Sequence, residues 1–248
     1  MSTRFRLLVI VLAAALALSA PSARAQQAET PSQTGSQAAF TFDQTTTPFG
    51  DGAISAVLPN LVPGPKSAQA ADDFIIAGAA NEFARIQTIT AVGRNVGSPV
   101  VDKIFIRVYG DAGGLPVTAP SFLQEVVPSV PVAWTYVAST NILVPVNRTF
   151  WISVQANVLS TSGDVWSWNG SNVNAGTYNK SAWVDTTKSS ENTYFNDNAL
   201  CVLEVTGFWG ERYAGCQLGS PSTVNMSFKL QGDTVTLARR TYLPSVLR

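Results

Sequence analysis

The residues of this sequence best suited to chemistry are aromatic. Trp166 and Trp168 stand two apart, so on an extended strand they share a face, and Tyr178 and Trp183 follow within a short stretch. Flat rings of this kind stack on sugar faces and on other apolar ligand surfaces. Together the four make a candidate ligand-binding platform, with an extracellular glycan or another cell-surface component as its partner. The same spacing also suits a core strand that fills the space beneath long loops, with indole N–H groups bonded to backbone.

No catalytic residue can be assigned. Histidine is absent from all 248 residues. That removes Ser-His-Asp and Cys-His nucleophiles, HExxH zinc proteases and every His-ligated metal centre. Carboxylate chemistry survives. A hydrolase of that type needs two carboxylates about 5–10 Å apart. Glu125, Asp164, Asp185, Glu191, Glu204 and Glu211 are candidates, but no motif selects a pair among them. No cofactor is implied. A structural Ca²⁺ is the one metal whose donors are present, in Asp72, Asp73, Asp111, Asp164, Asp185 and Asp197. No spacing among them matches an EF-hand or repeat-type loop, and the alternative is solvated carboxylates and Asx turns. No metal ligand is assigned.

The only cysteines are Cys201 and Cys216. In an oxidising compartment they form one disulfide, closing a loop of roughly 15 residues worth about 3 kcal/mol in the chain-entropy model. Four N-x-Ser/Thr sequons begin at Asn147, Asn169, Asn179 and Asn225. Asn225 falls on the outward side of its alternating strand and is expected to be accessible.

The elements that must position these residues begin after residue 25. Arg4 and Arg6 precede an apolar run from Leu7 to Leu18, and Ala23-Arg24-Ala25 fits signal peptidase cleavage. Residues 1–25 therefore read as a signal peptide, and the run is too short to span a bilayer of about 30 Å. The mature chain carries 13 basic against 16 acidic residues, which argues against a phosphate-tracking nucleic-acid binder. It contains no transmembrane segment. Residues 26–39 are polar and small and read as a flexible linker. Residues 40–232 read as one β-sandwich domain, and residues 233–248 as a C-terminal edge strand or sorting tail.

Period-two alternation marks the strands. Ile104, Ile106 and Val108 fall on one face, with Lys103, Phe105 and Arg107 on the other. Phe150, Ile152, Val154, Ala156 and Val158 are expected inward, with Ser153, Gln155 and Asn157 outward. Further strands are expected at 73–77, 85–92, 122–127, 134–138 and 142–146, with Pro145 suggesting an edge position. Short strands divided by Gly, Pro and Asn turns, with no helix of useful length, point to an all-β antiparallel sandwich of the jelly-roll kind. Long aromatic-rich loops fill 163–222.

Several of these stretches carry a resemblance. Phe42-Asp43-Gln44, Ala71-Asp72-Asp73-Phe74, Val108-Tyr109-Gly110-Asp111 with Gly114-Leu115-Pro116, Trp151-Ile152-Ser153-Val154-Gln155, Trp166-Ser167-Trp168 and Met226 to Gly232 resemble a secreted bacterial jelly-roll-like β-sandwich domain. That domain occurs alone or appended to larger secreted proteins. The resemblance covers most of 40–232 and implies fold and export, but no reaction. Val117 departs from the glycine common in its turn. The last residues, 241–248, resemble a tail of many exported bacterial proteins and imply surface attachment.

The expected function is a secreted, non-catalytic recognition or surface module. A structural subunit of a surface layer or fibre is the second reading, and a carboxylate-dependent hydrolase the third. N-terminal sequencing of exported protein should begin at Gln26, and alkylation without reductant should leave Cys201 and Cys216 unlabelled.

Overall fold

The computed structural model describes residues 38–45, 52–61, 65–127, 135–161, 164–172, 181–185, 209–211 and 225–237. This part is all-β, with 69% of it in strands and no helix. In chain order the strands are β1 (Ala38–Asp43), β2 (Ala53–Ile54), β3 (Ala56–Leu58), β4 (Lys66–Phe74), β5 (Glu82–Val96), β6 (Val101–Gly110), β7 (Phe122–Val126) and β8 (Thr135–Pro145). They continue with β9 (Phe150–Val158), β10 (Val165–Trp168), β11 (Gly170–Ser171), β12 (Ala182–Asp185), β13 (Gly210–Glu211), β14 (Asn225–Met226) and β15 (Phe228–Thr236).

One sheet runs β1-β15-β5-β10-β2, with β8 on β5 as well. A second runs β13-β12-β4-β3-β9-β6-β7, with β4 also paired to β9. β11 and β14 form a short ribbon. Among the described residues every strand pair is antiparallel except β3–β9. β5 is the spine of the first sheet. β15 pairs with its residues 82–91, and β10 takes over from 93 to 96. Bonds from Val92 N to Ser227 O at 3.0 Å, Asn169 N to Val92 O at 3.0 Å and Ser227 N to Asn169 O at 2.8 Å close the hand-over.

Alternation decides which side chains enter the main core. Ile104, Ile106 and Val108 of β6 face Ile152, Val154, Ala156 and Val158 of β9 in one buried cluster with Ile86, Ile89, Phe228 and Leu230 of the first sheet. Phe42, Phe74 and Phe228 form its aromatic end, with centroids 5.4 Å and 6.3 Å from Phe42.

Four expectations need correction. Ser153, Gln155 and Asn157 are buried rather than wetted. A second cluster of Ala71, Tyr109, Trp151, Ala182, Val184 and Trp209 lies on the odd-numbered face of β4 and β9. Those strands are therefore covered on both sides. Next, the strand expected at 73–77 instead starts at Lys66 and ends at Phe74. Ala68, Ala70 and Ala71 have low β-propensity, but only small side chains let four neighbouring strands pack this closely.

Third, the strands expected at 134–138 and 142–146 are one strand, β8. Its register shifts opposite Ile86/Thr88, where the Thr140 hydroxyl donates to Ile86 O at 2.7 Å. Among the described residues β8 pairs with β5 alone, so Pro145 does sit on an edge. Fourth, β15 is no edge strand. It lies between β1 and β5 through residue 234, pairs among the described residues with β5 alone at 235 and 236, and shows a bulge at the expected boundary at 232. Ala38 and Ala39, counted with the linker, already pair with Thr234 and Asp233.

Gly93 marks a close approach of an aromatic ring to backbone in the first sheet. A Cβ there would stand 2.3 Å from the Trp166 indole, so the ring lies flat on the glycine. Gly93→Ala should cost about 1–3 kcal/mol through overpacking. Urea unfolding should show a lower midpoint at unchanged slope.

Candidate functional site

Trp166, Trp168 and Trp183 are 0%, 0% and 3% exposed. The face shared by Trp166 and Trp168 on β10 is a core face, and both rings belong to the main cluster. The Trp166 ring meets Tyr136 at 5.1 Å, and burial raises the Tyr136 phenol to about 12. The Trp168 ring stands edge-on to Phe228 at 5.9 Å, and its Nε1 donates to Ser227 O at 2.8 Å. Trp183 Nε1 donates to Ile54 O at 3.0 Å. The stacking platform is thus corrected. All three rings fill buried volume, and Trp168 and Trp183 give their indole N–H groups to backbone carbonyls, so they do not form an open stacking face. Tyr178, Cys201, Cys216 and Asp197 lie outside the described residues.

Nor do the acidic residues gather. Among the described residues no three of His, Cys, Asp and Glu come together to hold a metal. Asp72 and Asp73 are successive on β4 and so point to opposite faces. Asp111 serves its own turn: its Oδ1 accepts from Gly114 N at 3.2 Å and from Trp151 Nε1 at 2.9 Å. That turn also absorbs Val117, whose amide donates to Gly110 O at 3.0 Å while its side chain packs against the second cluster. Asp164 is bonded by the Ser160 hydroxyl at 3.2 Å. Glu125 pairs with Lys103 at 3.1 Å. Of the sequons, Asn169 and Asn225 are buried, which corrects the accessibility expected of Asn225.

Asp72 is instead a buried knot. Its Oδ2 accepts from Gln44 Nε2 at 3.1 Å and from Met226 N at 2.6 Å, and its Oδ1 accepts from Asp73 N at 3.0 Å. Gln44 in turn donates its amide to Phe228 O at 2.8 Å and accepts the Ser171 hydroxyl at 2.7 Å. One carboxyl group thereby ties the end of β1 to β4, β11, β14 and β15. Burial, with the nearby Asp73 charge, pushes its pKa well above the ordinary carboxylate value, against the pull of those three donors.

A further described residue set open to a ligand was not singled out by sequence. A cleft of about 520 Å³ lies at one end of β5, lined by Asn81, Glu82, Phe83, Pro145, Asn147 and Arg148 among others. Its size is within the roughly 300–1,000 Å³ usual for ligand sites. Two left-handed asparagines shape its rim, Asn81 at φ 69° and Asn147 at φ 57°. The Asn147 side chain accepts from Gly78 N at 3.2 Å and donates to Gly78 O at 2.7 Å, riveting the 145–148 turn to the 76–81 loop. The Glu82 carboxylate accepts from Ala79 N at 2.8 Å. Arg148 is exposed and forms no ion pair among the described residues. The signal was present in the two asparagines, which tolerate positive φ, but nothing in their local sequence joins them across 66 positions.

The Asp72 geometry sets a pH dependence. The folded chain holds the Asp72 proton where the unfolded chain has released it. Stability from this group is therefore full below pH 3.8 and falls as pH rises toward the elevated folded value. Asp72→Asn, which cannot ionise, should flatten that part of the thermal-melt profile. Asp72→Ala should cost about 1–3 kcal/mol by leaving the Met226 amide buried and unbonded.

No protein-family model matches the chain, and neither a curated protein nor a solved structure does.

Proposed function

We propose that this chain is an exported, non-catalytic recognition module of the secreted jelly-roll-like kind, and that it binds an extracellular glycan in the cleft at the end of β5. The observation that carries the reading is the rim of that cleft, where two non-glycine residues are held in left-handed conformations. Asparagine tolerates this conformation in a turn, and the two bonds between Asn147 and Gly78 hold the rim in a fixed shape. The lining suits a sugar. Phe83, Pro145, Val146 and Leu237 offer apolar surface for a ring's C–H face. Asn81, Glu82 and Arg148 offer donors and acceptors for hydroxyls. The signal peptide reading supports export, and the loss of the tryptophan platform moves the glycan to the strand ends.

A second reading, a subunit of a surface layer or fibre, is favoured by apolar edges. Leu123 and Val127, at and just beyond β7, are 55% and 79% exposed, and Val137 and Leu143 of β8 are exposed as well. Gln124 Nε2 donates to Ser139 O at 3.2 Å, which brings these two edge strands together.

A glycan array followed by calorimetric titration of the best hit tests the first reading. Arg148→Ala should weaken binding about tenfold, or roughly 1.4 kcal/mol, with an unchanged melting temperature. An array without hits, or a variant that binds as the parent does, would end it. Concentration-dependent filaments in negative stain, lost on Leu123→Lys, would establish the second reading instead.

A further inference from the structure

We propose a separate oxyanion site at the opposite end of β5. It takes a small group bearing a carboxylate, or a sulfate or phosphate ester, and it stands independently of the glycan cleft. The geometry comes from sheet register. Arg94 on β5 lies directly opposite Ser167 on β10, and Ser167 directly opposite Ile54 on β2. Residues paired this way project to the same side of a sheet, so a guanidinium, a hydroxyl and an aliphatic side chain stand in one row across three strands. On β10 this side is the one opposite Trp166 and Trp168, the neighbours of Ser167, whose rings lie in the main core.

The row lines a cleft of about 190 Å³ together with Gly52, Ala53, Val96 and Trp183. Its volume suits a single small group. Trp183 makes a dry wall, with its indole N–H already given to Ile54 O. Gly52 keeps the floor open: a Cβ there would stand 2.3 Å from Trp168 O and 2.8 Å from the Ser167 hydroxyl. Ser167 is only 3% exposed, so its hydroxyl is sheltered from solvent competition. Arg94 is exposed and forms no ion pair among the described residues. Asp164, at the start of the same strand pair, is turned onto Gly97 and bonded by Ser160. An oxyanion entering the cleft would accept two parallel N–H bonds from the planar guanidinium and a third bond from the Ser167 hydroxyl. A dozen residues of β5 separate the two clefts, roughly 35–40 Å at strand rise.

The test is an amide and indole chemical-shift titration of the mature chain with sodium acetate, sodium sulfate and sodium phosphate. Ionic strength is held constant with sodium chloride, which is also the baseline. The expected result is saturable movement of the Gly52 and Ser167 amides and of the Trp183 indole N–H, with a dissociation constant of ~1–10 mM. Arg94→Gln, at an exposed position, should weaken it at least about tenfold, and Arg94→Lys should recover part of the loss. Tighter binding of acetate would identify a carboxylate ligand, and tighter binding of sulfate or phosphate an ester. Shifts that grow linearly, that match those in chloride, that fall elsewhere on the protein, or that persist in Arg94→Gln would overturn the site.

Discussion

The burial of β4 and β9 on both faces is the constraint from which most of this structure follows. A strand with one wet face can leave its polar side chains in water. These two cannot, so most polar groups on them are met by an internal partner, with the Ser153 hydroxyl an exception among the described residues. Gln155 is satisfied by Arg107 Nη1 at 2.9 Å, Ser67 Oγ at 3.0 Å and Ala68 O at 2.8 Å. Asn157 donates to Asp102 at 2.6 Å. Asp72 draws in two distant segments. Ser55, beside them, donates to Val154 O at 2.6 Å and accepts from Ala70 N at 3.2 Å, stitching β9 to β4. These bonds hold the curvature of the second sheet, where β3 fits between β4 and β9 over only part of their length.

Volume is managed by pairing the largest side chains with the smallest. Trp166 lies on Gly93, and the backbone of Trp168 closes on Gly52. Ala68, Ala70 and Ala71 lie where strands converge. A tryptophan ring packed against glycine excludes water from the backbone beside it, and the Trp168 N–H finds the Ser227 carbonyl. In this fold the aromatic residues of β10 and β12 build the scaffold rather than an open stacking platform.

Recognition in such a scaffold falls to the ends of strands. β5 is long enough to carry one cleft at each end, and each cleft holds an exposed arginine against apolar surface. The walls are set by sheet register and by turns that are themselves bonded to neighbouring loops. Rigid strands presenting loop-borne groups are the usual division of labour between stability and binding.

The sequence by itself determined the all-β class, the inward set of β6 and the main-core side of β9, because period-two geometry links neighbours along one strand. It also carried the absence of histidine and the chemistry that absence removes. It did not show that the other side of β9 is covered, because Ser153, Gln155 and Asn157 have the polarity of a wet face and burial depends on what folds over them. It showed that Trp166 and Trp168 share a face, but which face was decided by β5 and β15. It showed neither cleft. Asn81 and Asn147 come to line one cleft, and Arg94 falls into one row with Ser167 and Ile54, only once strands far apart in the chain are in register. Local pattern fixes what a strand is, whereas partnership between strands is a property of the whole fold.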